Sequence, residues 1–509
     1  MDSSKIKAIA VLVAAMGIAV YLGFAAATAQ LEAVGWVTGG LFLVICLGLG
    51  RNIWMLIPPL VFLQGNVNAL PGSPPAWALA AAVVAVMYFL RFSTRRHDFV
   101  FRIDWLDFAI FLQLVAVGQA WMRNPTGLLM LGGNTAGGKP YFVFGAVVLA
   151  YVCLAITRPS EKSIRWVVYA MVVMGVLDGI VLLLNDYSQH FAQACLRIYG
   201  GNIGAAFSGQ ALDIEETRGG FGMGVLGKNI LLPLFCLVPT IRCINPLRIV
   251  PFVLTVVGSV FTLISGFRSG VAYFVVLFAA AALARRRLID VLFAGVLGIL
   301  AVIVVLGSGH LDKLPFGVQR VLSVVGGASI RVDVRQSAED SSEDRFEVWR
   351  TVLTQKGFIQ NKWLGDGFNI SAREQTAIME RAIRGVNTQM GLDSFKEMCL
   401  ATGSYHGFHV ETIRFTGVFG LACAIFAMVV FFKCGLRLVR HFRGQPLFGP
   451  VLYVCLPTMI YLFWSLLIFG SYRTDFPPVL IMAGVMKMLD NLRLRQLAEE
   501  NTVAAGKAV

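Results

Sequence analysis

The stretch Ser404–Leu421, S-Y-H-G-F-H-V-E-T-I-R-F-T-G-V-F-G-L, closes a long polar segment and opens a long apolar one. His406 and His409 stand three residues apart at that border, on one face if the segment is already helical. The whole chain has 6 histidines, so two of them at one border make it the first place to look for chemistry. Working outward, the apolar run after it is long enough to cross a bilayer, and runs of about 17–25 apolar residues recur along the chain.

The chain is 57% apolar and 14% charged over 509 residues, which excludes a soluble class and predicts an all-α polytopic membrane protein. The net charge of +14 does not point to nucleic acid, because Lys and Arg gather in short loops between apolar runs, as in cytoplasmic loops of membrane proteins. Spans are expected near residues 17, 41, 60, 83, 113, 149, 175, 230, 255, 277, 298, 420, 459 and 481, giving about 12–14 in all. The first run lacks a small-residue cleavage site and reads as a span, not a signal peptide. With the N-terminus inside, every dense basic cluster falls on the inner side, from Arg91, Arg95, Arg96 and Arg102 through Arg285–Arg287 to Arg437, Arg440 and Arg493. Both termini are then cytoplasmic.

The expected organisation is a transmembrane bundle over 1–307, a large extracytoplasmic loop over 308–405, further transmembrane helices over 406–490 and a cytoplasmic tail over 491–509, of which the last dozen residues read as disordered. In the loop, Asp344–Lys356 and Ala372–Ala382 mix apolar and charged residues at helical spacing, so two or three amphipathic helices are expected to cap the outer face. The acidic run Glu339, Asp340, Glu343 and Asp344 can hold a divalent ion, but reads better as a solvated surface. Nine cysteines show no metal-ligand spacing, and a pairing of Cys195 with Cys399 is left open.

Three basic positions converge in this topology. Arg218 precedes the eighth span, Arg268 occupies the tight turn Ser265-Gly266-Phe267-Arg268-Ser269-Gly270, and His406 precedes the twelfth span. A guanidinium near hydrocarbon keeps its charge and needs a partner, and phosphate offers multidentate acceptors. Arg268 equally fits an arginine that snorkels to the interface or pairs with a loop carboxylate. Arg218 can be neutralised by Glu215 and Glu216. Lys228 lies about 15 Å further along its helix, too deep to snorkel, and needs a partner or a polar cavity. His406 suits a general base, since nearby arginines favour the neutral imidazole.

At these residues the chain resembles the O-antigen ligase and O-antigen polymerase superfamily of bacterial envelope glycosyltransferases. The resemblance rests on Arg218-Gly-Gly-Phe221 followed by Gly227-Lys228-Asn229, the Ser265–Ser269 turn, Arg345-Phe-Glu-Val-Trp349, Gly365-Asp366-Gly367, and His406 eleven residues before Gly417 and Gly420. Lys228, Phe267 and Gly407 depart from the family pattern. The resemblance implies a GT-C-like bundle in a bacterial inner membrane. The implied donor is a glycan on polyprenyl pyrophosphate, and the acceptor is a hydroxyl of a lipid or glycan on the outer side. Arg218 and Arg268 would bind the pyrophosphate and His406 would take the acceptor proton. His409, Lys228, Arg345, Ser265 and Ser269 would line the substrate. No cofactor is expected. The first outer loop offers only Glu32 as an acidic residue, so arginines would stand where related enzymes use a metal. Besides the donor and acceptor, the expected partners are membrane lipids. The alternatives are a transporter or flippase for the same lipid-linked glycan, and an envelope scaffold without chemistry.

Overall fold

The computed structural model describes residue 40 and residues 48–507, apart from 64, 69, 71, 94–98, 101, 126–136, 189–192, 194–198, 202–219, 309, 324–330, 372, 377–378, 380–395, 397–398, 401–402 and 469. The described chain is almost entirely helical. Six helices are long and apolar enough to cross a membrane: α2 (Ala76–Ser93), α3 (Trp105–Arg123), α5 (Glu161–Tyr187), α10 (Leu288–Gly307), α13 (Phe408–His441) and α14 (Phe448–Leu467). Four more are apolar but only 16 or 17 residues long: α4 (Lys139–Ala155), α6 (Phe221–Leu237), α8 (Ile249–Ile264) and α9 (Arg268–Ala284). The remaining helices are α1 (Ile57–Val61), α7 (Thr240–Ile244), α11 (Phe316–Leu322), α12 (Val332–Thr354) and α15 (Phe476–Lys507). Two short strands, β1 (Gly65–Val67) and β2 (Tyr199–Gly201), pair antiparallel.

Helices pass through eleven of the expected span positions, from residue 83 to residue 481. The spans expected near 17 and 41 lie outside the described residues. Near residue 60 the expectation fails. A 3-10 stretch, Gly50–Leu56, runs into the five-residue α1, where Pro58 and Pro59 supply no backbone donors. The chain divides into the units Met1–Met55 and Leu56–Val509, and the second holds every helix from α1 onward.

The tightest helix pairs are built on glycine. A methyl at Gly179 of α5 would come within 2.8 Å of Leu226 Cα, one at Gly222 within 2.4 Å of the Leu183 nitrogen, and one at Gly227 within 2.5 Å of Thr262 Oγ1. Small residues let α6 lie against α5 and α8 backbone to backbone, the packing that dispersion favours in lipid. By contrast α10 buries only Asp290, which accepts a 2.5 Å hydrogen bond from the Thr240 hydroxyl, and turns its apolar surface outward.

The dense basic clusters gather at one end of the bundle. Arg285 donates to the carbonyls of Phe235 and Cys236 and Arg443 to that of Ala284, satisfying the open C-terminal carbonyls of α6 and α9. Asp490, almost fully buried, holds Arg102, Arg437 and Arg493. Lys487 is buried against Asp104 and Asp107 at 2.8 and 2.6 Å.

One expectation is overturned at the C-terminus. The last dozen residues, expected to be disordered, are helical as far as they are described: α15 continues to Lys507. The preceding turns of α15 are held by a run of contacts from the end of α4 to the start of α5. Asn491 donates to Ala155 O, Arg495 to Pro159 O and Gln496 to Glu161, while Leu492 is buried.

The segment between α10 and α13 does carry amphipathic helices. Along α12, Val348 and Val352 are fully buried in a cluster with Phe358, Ile359, Cys399, Tyr405 and Val410, while Arg335 and Glu339 pair on its surface. Cys399 is a free thiol; Cys195 lies outside the described residues.

Candidate functional site

His406 is in the left-handed region at φ 49°, a conformation that costs a non-glycine residue energy and persists only where its surroundings impose it. Three contacts impose it here. Trp349 Nε1 donates to the Tyr405 carbonyl at 2.9 Å. The Tyr405 hydroxyl donates to Glu374. A methyl at Gly407 would lie 2.5 Å from Trp349 Nε1, so only glycine lets the indole come this close. The Trp349 ring also meets His409 edge-on at 4.8 Å.

Arg345 stands four residues before Trp349 on α12, hence on the same face. Its charge is the one that acts on His406, and the charge of Arg268 in turn acts on Arg345. Basic groups from three separate elements are thus linked electrostatically in series: Arg268 at the first turn of α9 acts on Arg345 of α12, and Arg345 acts on His406 just before α13. Burial first, and then Arg345, pull the His406 imidazole down to about 4, so it is neutral at physiological pH. Burial, and then Arg268, pull Arg345 below its ordinary value.

The turn carrying Arg268 is fixed by the loop above it. Gly317 of α11 lies against it so closely that a methyl there would fall 2.1 Å from the Ile264 carbonyl oxygen. Ser265 is fully buried and its hydroxyl donates to Thr262 O at 2.7 Å; it packs the turn and offers no surface to a ligand. Ser269, one residue past Arg268, is partly exposed. Arg218 lies outside the described residues.

Lys228 keeps an exposed surface on α6. The charges of Asp475 and Asp178 act on it, which supplies the partner its depth demands.

A second construction holds the loop in place. The helix α13 breaks at Gly417, at φ 76° and ψ −179°. The segment 361–367 inserts there. Asp366 N donates to Arg414 O and Gly367 N to Phe415 O, while Val418 N donates to Lys362 O and Phe419 N to Trp363 O, at 2.8–3.1 Å. The loop thus takes the carbonyls and amides that the broken helix leaves open. Gly365, Gly367 and Gly417 all have positive φ, and a methyl at Gly417 would fall 2.2 Å from Trp363 O. Arg414, buried next to the break, pairs with Glu374 at 3.2 Å and Asp366 at 3.6 Å. Burial works against the charge of Glu374, but Arg414 together with hydrogen bonds from Ser371 N and the Tyr405 hydroxyl outweighs it and holds the carboxyl below its ordinary range. Through Glu374 and Tyr405, this buried ion cluster fixes the backbone that presents His406.

Sequence reasoning misses Arg414, Glu374, Tyr405 and Trp349 as the site's support. The available signal is the pair Glu411 and Arg414 inside an apolar run, where a charge requires a partner. Glu411, fully buried, accepts from Ser471 Oγ and Tyr472 N. A cleft of about 580 Å³ lies at the opposite end of α13 and is lined by cations; it is no part of this site. No protein-family profile matches the chain, and no curated protein matches it in sequence.

Proposed function

We propose that this chain is a membrane glycosyltransferase with a GT-C-like bundle, of the O-antigen ligase or polysaccharide polymerase type. It would transfer a glycan from polyprenyl pyrophosphate to an acceptor hydroxyl at the outer face of a bacterial inner membrane. The observation that carries this reading is a buried, neutral imidazole under the charge of Arg345, which is itself under the charge of Arg268 from another element. A base for a hydroxyl and cations for a leaving pyrophosphate are the two demands of this transfer.

In the reaction, His406 takes the acceptor hydroxyl proton as the oxygen bonds to the anomeric carbon from the face opposite the leaving group. The bond from that carbon to the pyrophosphate breaks, and the electron pair leaves on the lipid pyrophosphate. Arg268 and Arg345 face the charge that grows there, with Arg218 as a third cation from the resemblance. The arriving donor also tunes the base. Burial stays, but the pyrophosphate charge offsets Arg345, so the His406 pKa rises toward its ordinary value when the donor binds.

The test is transfer by the purified, reconstituted protein with a polyprenyl-pyrophosphate glycan donor. His406→Ala and Arg268→Ala should abolish transfer while the proteins elute as monodisperse particles. Full activity in either variant removes the mechanism. A glycan ladder from a deletion strain then separates the two types: loss of long chains indicates a polymerase, and full-length chains stranded on the carrier indicate a ligase. Lys228, a cation exposed along the apolar helix α6, is the observation that favours a flippase instead, and retained function in His406→Ala with loss in Lys228→Ala would select it.

A further inference from the structure

The cleft at the basic end of α13 and α15 has a layout that the transfer site does not explain. Its volume is about 580 Å³, within the range of small-ligand sites. Lys433, Arg437 and Arg440 line it from α13 and Arg493 from α15. Asp490 is the facing carboxylate: it pairs with Arg437 at 3.3 Å and Arg493 at 2.8 Å, and must also serve Arg102. Three guanidinium groups thus share one buried anion. Among the described residues, Lys433 and Arg440 form no ion pair, and both are exposed.

The same helix face continues as an apolar stripe. Phe419, Phe426, Lys433, Arg437 and Arg440 follow spacings of seven, seven, four and three, which keep them on one side of a helix. Trp105 and Phe108 of α3, both exposed, meet Phe426 edge-on at 6.3 and 6.0 Å. From Arg414 to Lys433 the helix carries no charged side chain. That interval is about 28 Å at 1.5 Å per residue, close to the hydrocarbon thickness of a bilayer. The cations therefore begin where the apolar layer ends.

We infer that this cleft is a headgroup site for an anionic phospholipid, with the phosphodiester among Lys433, Arg437, Arg440 and Arg493 and the acyl chains along Phe426 and Trp105. Arginine forks match phosphate oxygens, and aromatic residues at this depth favour the boundary between headgroup and chain. A soluble acidic partner would use the cations but leave the apolar stripe without a role. The inference rests on the membrane reading alone and is independent of the glycosyl-transfer reading.

Native mass spectrometry of the full-length protein tests it, with phosphatidylglycerol, cardiolipin and phosphatidylcholine of matched chains. An anionic lipid should be retained at least about tenfold over phosphatidylcholine, since each Lys or Arg near anionic lipid contributes about fivefold in affinity. Lys433→Gln/Arg440→Gln removes two cations outside the Asp490 cluster and should lower retention about twenty-five-fold. Lys433→Arg/Arg440→Lys should keep it, and serves as the variant that preserves charge if the first does not fold. Wild-type retention should fall between about 50 mM and about 500 mM salt. Equal retention of phosphatidylcholine, unchanged retention in the Gln variant, or loss in the charge-preserving variant overturns the inference. So does displacement by millimolar inorganic phosphate, which would indicate a free-phosphate site, or by a polyglutamate peptide, which would indicate a protein-docking surface.

Discussion

Gly417→Ala should undock the segment 361–367 from α13. Glycine at this position has φ 76° and ψ −179°, a region almost closed to other residues, and alanine there costs about 1–3 kcal/mol in backbone strain. The added methyl would also fall 2.2 Å from Trp363 O and 2.4 Å from Leu364 N. Both are backbone atoms, so neither can rotate away. The junction holds four cross-segment hydrogen bonds, each worth about 1 kcal/mol net. Losing half of them together with the strain gives about 4 kcal/mol, or about a thousandfold in the local opening equilibrium. Hydrogen–deuterium exchange read by mass spectrometry reports that equilibrium at Asp366, Gly367, Val418 and Phe419. Their exchange should accelerate by two to three orders of magnitude. Gly118→Ala on α3, which would meet nothing within 4 Å, should leave it unchanged. Exchange in Gly417→Ala as slow as in the wild type would refute the account of the broken helix.

Trp349→Phe removes the donor to Tyr405 O and leaves that carbonyl without its bond, at a cost of about 1–3 kcal/mol; transfer should slow while the donor KM moves little, and an unchanged kcat would sink its positioning role. The His406 pKa is depressed, so the acid-side limb of kcat/KM, where rate rises with pH as the free protein's base deprotonates, should lie near pH 4. The limb of kcat, which reports the donor complex, should lie at higher pH, and coincident limbs would contradict charge relief by the donor. Chelator should leave transfer by the wild type intact, as expected if guanidinium groups neutralise the leaving pyrophosphate; activity lost on chelation and restored by a divalent ion would reverse that expectation.

Arg268 is legible in the sequence because a charge in a tight turn between apolar runs has few explanations, and in the structure its charge acts on Arg345, which in turn acts on His406. The helices from α2 onward are legible because burial in lipid demands long apolar runs. The interior of the loop is not. Periodicity marks α12 as amphipathic but does not say that Trp349 will reach Tyr405, since contacts between distant segments leave no local period. Nor does it reveal that α13 breaks: Gly417 reads as one more small residue in a span until Trp363 is seen against it. Arg414 is legible as a charge in need of a partner, but Glu374 and Asp366 lie 40 and 48 residues away in sequence and nothing local points to them. The C-terminal residues mislead because their polar composition suits a tail, while their actual use is to ladder along the start of α5.

The modest lengths of α8 and α9 bear on how a tethered substrate reaches the chemistry. At 16 and 17 residues they rise about 24 and 26 Å, some 5 Å less than the oily layer they would traverse. With the basic end of the pair at the membrane surface, the bend that carries Arg268 would lie below the opposite waterline. On the glycosyltransferase reading proposed above, a long isoprenoid carrier would then not need to be hauled upward for its phosphates to be met.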